Sequence, residues 1–343
     1  MDEIPYVEMT PTQQRVLIDA SQAFEAYRQA LATWGRYEGG MAWKTVKGRD
    51  YLIKVVNRRG GTKSLGPRTA DNERIFAEFV EGKAGAKQRL DAAQGVLEEI
   101  AGMCRGVRIN RVPSVVTAIL RKLDSVGLLE KSLMVIGTHA LYGYEASAGV
   151  MLSAGLTGTT DIDFLWDARA SMNLALLDED VVEAGVLAVL RKVDRSFEQS
   201  ASGGFRAVNS HGFFVDLVKQ TPSPPWRTEK DRIARSDLTP AWLQQMKWLL
   251  ASEKFRSVVI GADGEPAPLV APDPRAFAVH KAWLSQQLDR DPLKKRRDLL
   301  QAEAAAKIVR EKFPHLRFDE EALRSFPHEV MGIPAVQNLI PKG

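Results

Sequence analysis

The stretch TGTTDIDFLWD, residues 157–167, holds two carboxylates, Asp161 and Asp163, one residue apart in an otherwise apolar run. In a β-strand alternate side chains share a face, so both aspartates point one way while Ile162 and Phe164 point the other. Like charges side by side repel, and the pair therefore needs a reason outside folding. Two neighbouring pieces supply one. Upstream, SLMVIG (132–137) reads as a short buried strand ending at Gly137 and Thr138, with a helix in THALYGYEASAG after it. Downstream, FRAVNSHGFFVDLVK (205–219) reads as a hairpin, with a third carboxylate, Asp216, in the middle of an apolar strand.

Three carboxylates converging on one sheet edge do not stay ionised together without cations. Magnesium is a hard ion with oxygen ligands, typically shared with substrate phosphates. Two such ions hold the attacking and leaving oxygens of an in-line phosphoryl displacement. In this reading Asp161, Asp163 and Asp216 are both the metal ligands, for Mg²⁺ or Mn²⁺, and the catalytic residues. Asp216 also assists deprotonation of the attacking hydroxyl. Gly137 lets the backbone approach a phosphate, and Thr138 adds a hydroxyl donor.

The order Ile136-Gly137-Thr138, Asp161-Ile162-Asp163, Val215-Asp216-Leu217 resembles the signature of the nucleotidyltransferase fold of the DNA polymerase β superfamily. The wider sequence is similar to a bacterial branch of it, through GTHALYGYEASAGV, TTDIDF and PRAFAVHKAWLS. Thr138 is a departure, since most members carry Ser or Gly there. The resemblance implies an α+β fold, a short mixed sheet flanked by helices with a helical domain appended. It implies transfer of NMP from an NTP to a hydroxyl acceptor, with release of pyrophosphate. It also implies a cation from the helical domain over the triphosphate. Lys281 is the expected residue, with Lys294 and Arg297 as alternates. The bland reading of that segment is a solvated basic face with an internal Lys294–Asp298 pair. A lone His139 at a helix start more often packs than binds phosphate, and His211 reads as a turn residue.

The rest of the 343-residue chain is ordinary in composition, 45% hydrophobic and 26% charged. No apolar run approaches a membrane span, and MDEIPYVEMT lacks the pattern of a signal peptide. Cys104 is the single cysteine and reads as a core residue. A cytoplasmic protein without a membrane partner is expected.

Charge is concentrated, however. Residues 41–70 carry Lys44, Lys47, Arg49, Lys54, Arg58, Arg59, Lys63 and Arg68 against Asp50 alone, a local charge of +7. Such a patch points to a polyanion. MAWKTVKGRDYLIKVV reads as a β-hairpin turning at Lys47–Gly48, with a third strand after it. The first seven of these cations are candidate RNA or DNA contacts, with Trp43, Tyr51 and Leu65 interleaved. The competing reading is a charged sheet packed on two helices, residues 10–34 and 71 to about 105.

Three regions are expected: a helix/basic-hairpin/helix module (1–110), a nucleotidyltransferase core (111–225) and a mostly helical C-terminal domain (226–343). In the last, Trp226, Trp242 and Trp248 read as core anchors, and FRSVVIG and PAPLVAP as strands around Asp263–Gly264. The acceptor stays open among nucleic acid (tRNA included), protein and small molecule, and an antitoxin or other protein is a candidate partner. The alternative function is a non-catalytic nucleic-acid-binding or regulatory protein on a degenerate nucleotidyltransferase fold.

Overall fold

The computed structural model describes residues 6–37, 39–55, 61–167, 179–201, 203–222, 237–324 and 326–340. The chain opens with β1 (Tyr6–Glu8), α1 (Pro11–Gly35), β2 (Met41–Val46), β3 (Arg49–Val55), β4 (Thr62–Pro67), α2 (Ala70–Gly106) and α3 (Ser114–Ser125). β5 (Leu133–Ile136) runs into a 3-10 turn (Gly137–His139), then α4 (Ala140–Ala148), β6 (Val150–Leu152), α5 (Ala154–Thr157) and β7 (Asp161–Trp166). α6 (Glu179–Val193), β8 (Glu198–Gln199), β9 (Arg206–Val208), β10 (Phe214–Gln220), β11 (Ala241–Leu243) and α7 (Lys247–Ala251) follow. Last come β12 (Lys254–Ile260), β13 (Pro266–Pro272), α8 (Pro274–Ser285), α9 (Pro292–Lys312), α10 (His328–Met331) and α11 (Pro334–Gln337).

The chain divides into two compact units, one made of residues 1–14 and 108–343, the other of residues 15–107. The expected boundary at 225/226 lies outside the described residues.

That larger unit is α+β. Its central mixed sheet has the order β5-β7-β10-β9-β8, with β11 also on β10. β7 and β10 run parallel, while β5 on β7 and β9 on β10 are antiparallel. The alternation read in 161–166 is real: Ile162 and Phe164 are fully buried in a core continuous with α3, α8 and α9. The β12–β13 hairpin packs on α3 and α4. Three prolines fit in β13 because it pairs on one side alone, with β12, and needs no second row of N–H donors. β1 pairs with β6.

The smaller unit holds the three-stranded sheet β2-β3-β4, with α2 running through Gly82, Gly85 and Gly95 without a break. Gly82 is there for space, since a Cβ would lie 2.3 Å from the Tyr37 hydroxyl. The β2–β3 turn places Lys47 and Gly48 at positive φ, the type I′ geometry that matches strand twist. Cys104 is buried, and burial pushes its thiol up to about 11. Among the described residues no helix is long and apolar enough to cross a membrane.

Candidate active site

The register of β7 against β10 sets Asp163 directly beside Asp216, and Asp161 beside Phe214. All three expected carboxylates therefore sit on adjacent parallel strands at the centre of the sheet. Thr159 donates its hydroxyl to Asp161. Gly137, at φ +68°, closes β5 over Asp163: a Cβ there would lie 2.4 Å from Asp163 Oδ2. The glycine is thus explained by the carboxylate packed against it.

Asp216 has a partner that sequence reasoning missed. Arg206, its cross-strand neighbour on β9, grips it with two hydrogen bonds, Nε to Oδ1 at 2.7 Å and Nη2 to Oδ2 at 2.6 Å. The guanidinium also lies 4.8 Å from the Phe214 ring centroid and 5.6 Å from that of Phe205. The signal was the hairpin: antiparallel pairing across SHG sets a cation opposite the strand acid. By contrast, neither Asp161 nor Asp163 forms an ion pair among the described residues. Burial pushes the Asp163 carboxyl up to about 7, and repulsion from Asp161 and Asp216 adds to it. Lys281 and Arg206 pull it the other way.

A cleft of ≈ 670 Å³ opens beside these groups, lined by Gly137 and Asp163 from the sheet side and by Lys281, Arg290 and Lys294 from the helical side. Lys281 is buried on α8 and donates to Asp298 Oδ1 at 2.6 Å. Arg290 Nε donates to Asp298 Oδ2 at 2.8 Å. Burial pushes the Lys281 ammonium down, and Asp298 opposes the shift. The Lys294–Asp298 pair expected from i,i+4 spacing is not what forms; the acid turns inward to two cations outside its own helix.

The Thr138 hydroxyl oxygen is held from α9. Its Oγ1 accepts from Arg297 Nη2 at 3.0 Å and from Gln301 Nε2 at 3.2 Å. Arg297 also donates to the Gly158 carbonyl at 2.7 Å, so this alternate cation braces the Gly137–Thr138 turn. His139 is buried, and burial pushes it down to about 4. It is a core residue, as is Trp248, which stacks edge-on against Trp283. Trp242 lies partly exposed with Lys219 3.8 Å over its ring, and Trp226 falls outside the described residues.

A divalent cation suits part of this donor set. Asp161 and Asp163 offer hard oxygen donors whose repulsion a cation relieves. Asp216 is already neutralised. Among the described residues no group of three or more His, Cys, Asp or Glu side chains is disposed to hold a metal ion. The pair fits such an ion; the triad, as arranged, does not.

In the smaller unit the basic residues are split between faces. Trp43 and its partner Leu52 face α2, where Trp43 packs on Phe76. The opposite face carries Lys44 beside Tyr51 and Val46 beside Arg49. Lys54 pairs with Lys63 on the other side, and Lys47 sits in the turn. Arg68 is engaged by Glu73, Asp50 and the Trp43 ring. Arg58 and Arg59 lie outside the described residues.

A family model described as Nucleotidyltransferase matches residues 114–326, more than half of the chain. No curated protein and no solved structure matches it.

Proposed function

The chain belongs to this nucleotidyltransferase family, and on that premise we propose that it transfers the nucleoside monophosphate of an NTP to a hydroxyl acceptor. The observation that carries the reading is the cleft, with Gly137 and Asp163 on one side and Lys281, Arg290 and Lys294 on the other. Its volume lies within the range of small-molecule sites, roughly 300–1,000 Å³. Phosphates of high negative charge call for such cations, and phosphoryl transfer depends on positioning and charge neutralisation.

In this reading Lys281 and Arg290, fixed by Asp298, meet the triphosphate, and Lys294 adds charge at the cleft mouth. The acceptor oxygen forms a bond to the α-phosphorus, the bond to the bridging oxygen of the β-phosphate breaks, and pyrophosphate leaves. The acceptor's proton passes to a carboxylate oxygen, for which Asp216 is our assignment once Arg206 releases it. Mg²⁺ or Mn²⁺ would be held by Asp161 and Asp163, and supplies charge neutralisation between carboxylates and phosphate oxygens. Gly137 and Thr138 shape the turn that holds Asp163 in place.

We take the acceptor to be a nucleic acid, tRNA first, on the strength of Lys44, Arg49 and Tyr51 sharing one open sheet face. A protein acceptor or an antitoxin-like partner is the other class. One observation favours a second reading, a nucleic-acid-binding or regulatory protein on a degenerate fold: Asp216 is already paired with Arg206. Incubating the purified chain with each α-labelled NTP, Mg²⁺ or Mn²⁺, and cell extract separates the two. Label in RNA supports the main reading, and label in protein reassigns the acceptor. No label with any NTP, while RNA binding persists without metal, establishes the second reading instead.

A further inference from the structure

We propose that the cleft chooses its nucleotide by the base, with Gln287 as the residue that decides. It takes NTPs whose base carries an amino group at the position farthest from the sugar, adenine and cytosine. It discriminates against guanine and uracil, which carry a carbonyl oxygen there. The inference rests on the nucleotidyl-transfer reading above and names the substrate class of that same cleft.

Three observations carry it. First, the helical side of the cleft divides by chemistry. Lys281, Arg290 and Lys294 supply cations, and Asp298 ties the first two together. Beside them lies an apolar wall, Leu243, Met246 and Leu249 from the segment that enters α7 and Trp283 and Leu284 from α8. The triphosphate belongs with the cations, which leaves the apolar wall to the base. Second, this wall holds an aromatic platform. Trp283 is partly buried, and its ring is fixed by Trp248, edge-on at 5.5 Å, and by His280 at 5.7 Å. Every base has a face that stacks on an aromatic ring, so a platform binds without choosing. Third, a group able to choose is fixed next to it. Gln287 Nε2 donates to the Trp283 main-chain carbonyl at 3.1 Å. A carbonyl oxygen only accepts, so the nitrogen must be the end of the amide that meets it. Oε1 is the end that remains, and no protein donor meets it among the described residues.

An NTP held by its phosphates at Lys281 extends its base away from them. The group most remote from the sugar is then the 6-substituent of a purine or the 4-substituent of a pyrimidine. Beside a fixed Oε1, an amine there donates a hydrogen bond. A carbonyl there sets two acceptors against each other, and both lose water without gaining a partner. A site built to hydrogen-bond an N–H rejects the analogue that lacks it far more strongly than an apolar pocket rejects a methylene.

Calorimetry on the full-length protein tests this with non-hydrolysable α,β-methylene analogues of ATP, CTP, GTP, UTP and ITP. Inorganic tripolyphosphate serves as a probe without a base. The adenine and cytosine analogues should bind about tenfold or more tightly than those of guanine and uracil. The inosine analogue, which replaces the adenine amine with a carbonyl, should fall with the weaker pair. Gln287→Leu should bring the adenine and cytosine analogues down to the level of the others, with tripolyphosphate binding unchanged. Should that variant fail to fold, Gln287→Met, closer in shape, carries the same expectation. Equal affinity for all five analogues, a preference for guanine or uracil, or an amino-base preference that survives loss of the amide would overturn the assignment of Gln287 while leaving nucleotide binding in place. No binding of any analogue or of tripolyphosphate by the folded protein would overturn the nucleotidyl-transfer reading itself.

Discussion

Asp163 sits in surroundings that work against its charge. Its carboxyl is raised from 3.8 to about 7. An acid raised on folding binds its proton more tightly in the native state, so its contribution to stability is complete below about pH 4 and lost as pH climbs toward 7. Asp163→Asn removes that loss. In thermal melts with EDTA, wild type and variant should unfold at similar temperatures near pH 4. By pH 8 the variant should be the more stable by several degrees. His139 and His280, pushed down to about 4 and about 3 by burial, act with the opposite sign. They favour the native state above about pH 6.5 and lose that contribution as pH falls, but equally in both proteins, so they cancel in the comparison. The same variant should lose nucleotidyl transfer altogether. A stability difference that stayed flat with pH would mean that Asp163 is not held in this environment.

Helices α8 and α9 are joined by one acid. Asp298 stands between Lys281 and Arg290 and is almost wholly buried. Asp298→Ala leaves a buried ammonium unpartnered, a change that costs about 3–5 kcal/mol. Urea denaturation should show that loss, and Lys281→Met in the same chain should restore much of it, because the stranded charge leaves with its partner. No restoration would place the cost elsewhere than in the ion pair. Elements of this kind divide into those a sequence displays and those it hides. The capping box at the start of α1, where Thr10 and Gln13 bond reciprocally, is local and was readable. So were the Lys47–Gly48 turn, the alternation in β7 and the three strand acids, because period and turn chemistry act over a few residues. The partners of those acids were not. Arg206 meets Asp216 through a hairpin register, and Asp298 meets Lys281 across two helices, so each depends on packing that no short window contains. The contacts of Thr138 were hidden for the same reason: Arg297 and Gln301, which donate to its hydroxyl oxygen, approach from a distant helix.

At the scale of the molecule, the basic hairpin and the acid-bearing sheet belong to different compact units, so their contributions should separate in experiment. Replacing Lys44, Lys47 and Arg49 with Ala should weaken RNA binding and flatten its salt dependence by roughly 0.7 per lost phosphate contact, about two in all. NTP binding to the same variant should hold at the wild-type value. Fluorescence anisotropy of labelled RNA over a range of salt concentrations measures the slope, and an unchanged slope would make the sheet a solvated surface and turn the acceptor toward protein. The division has another consequence. Residues 15–107 are not an N-terminal attachment but an insertion, because β1 belongs to the larger unit and pairs with β6. Tyr6 is buried there, and Lys312 reaches Glu8. During synthesis on the ribosome, residues 6–8 emerge before the inserted unit and their partner, residues 150–152, only after it. The inserted unit can finish its own core while this early segment waits. A truncation that begins at Arg108 would therefore remove more than a module. It would leave β6 with a bare edge and expose the surface that Tyr6 covers.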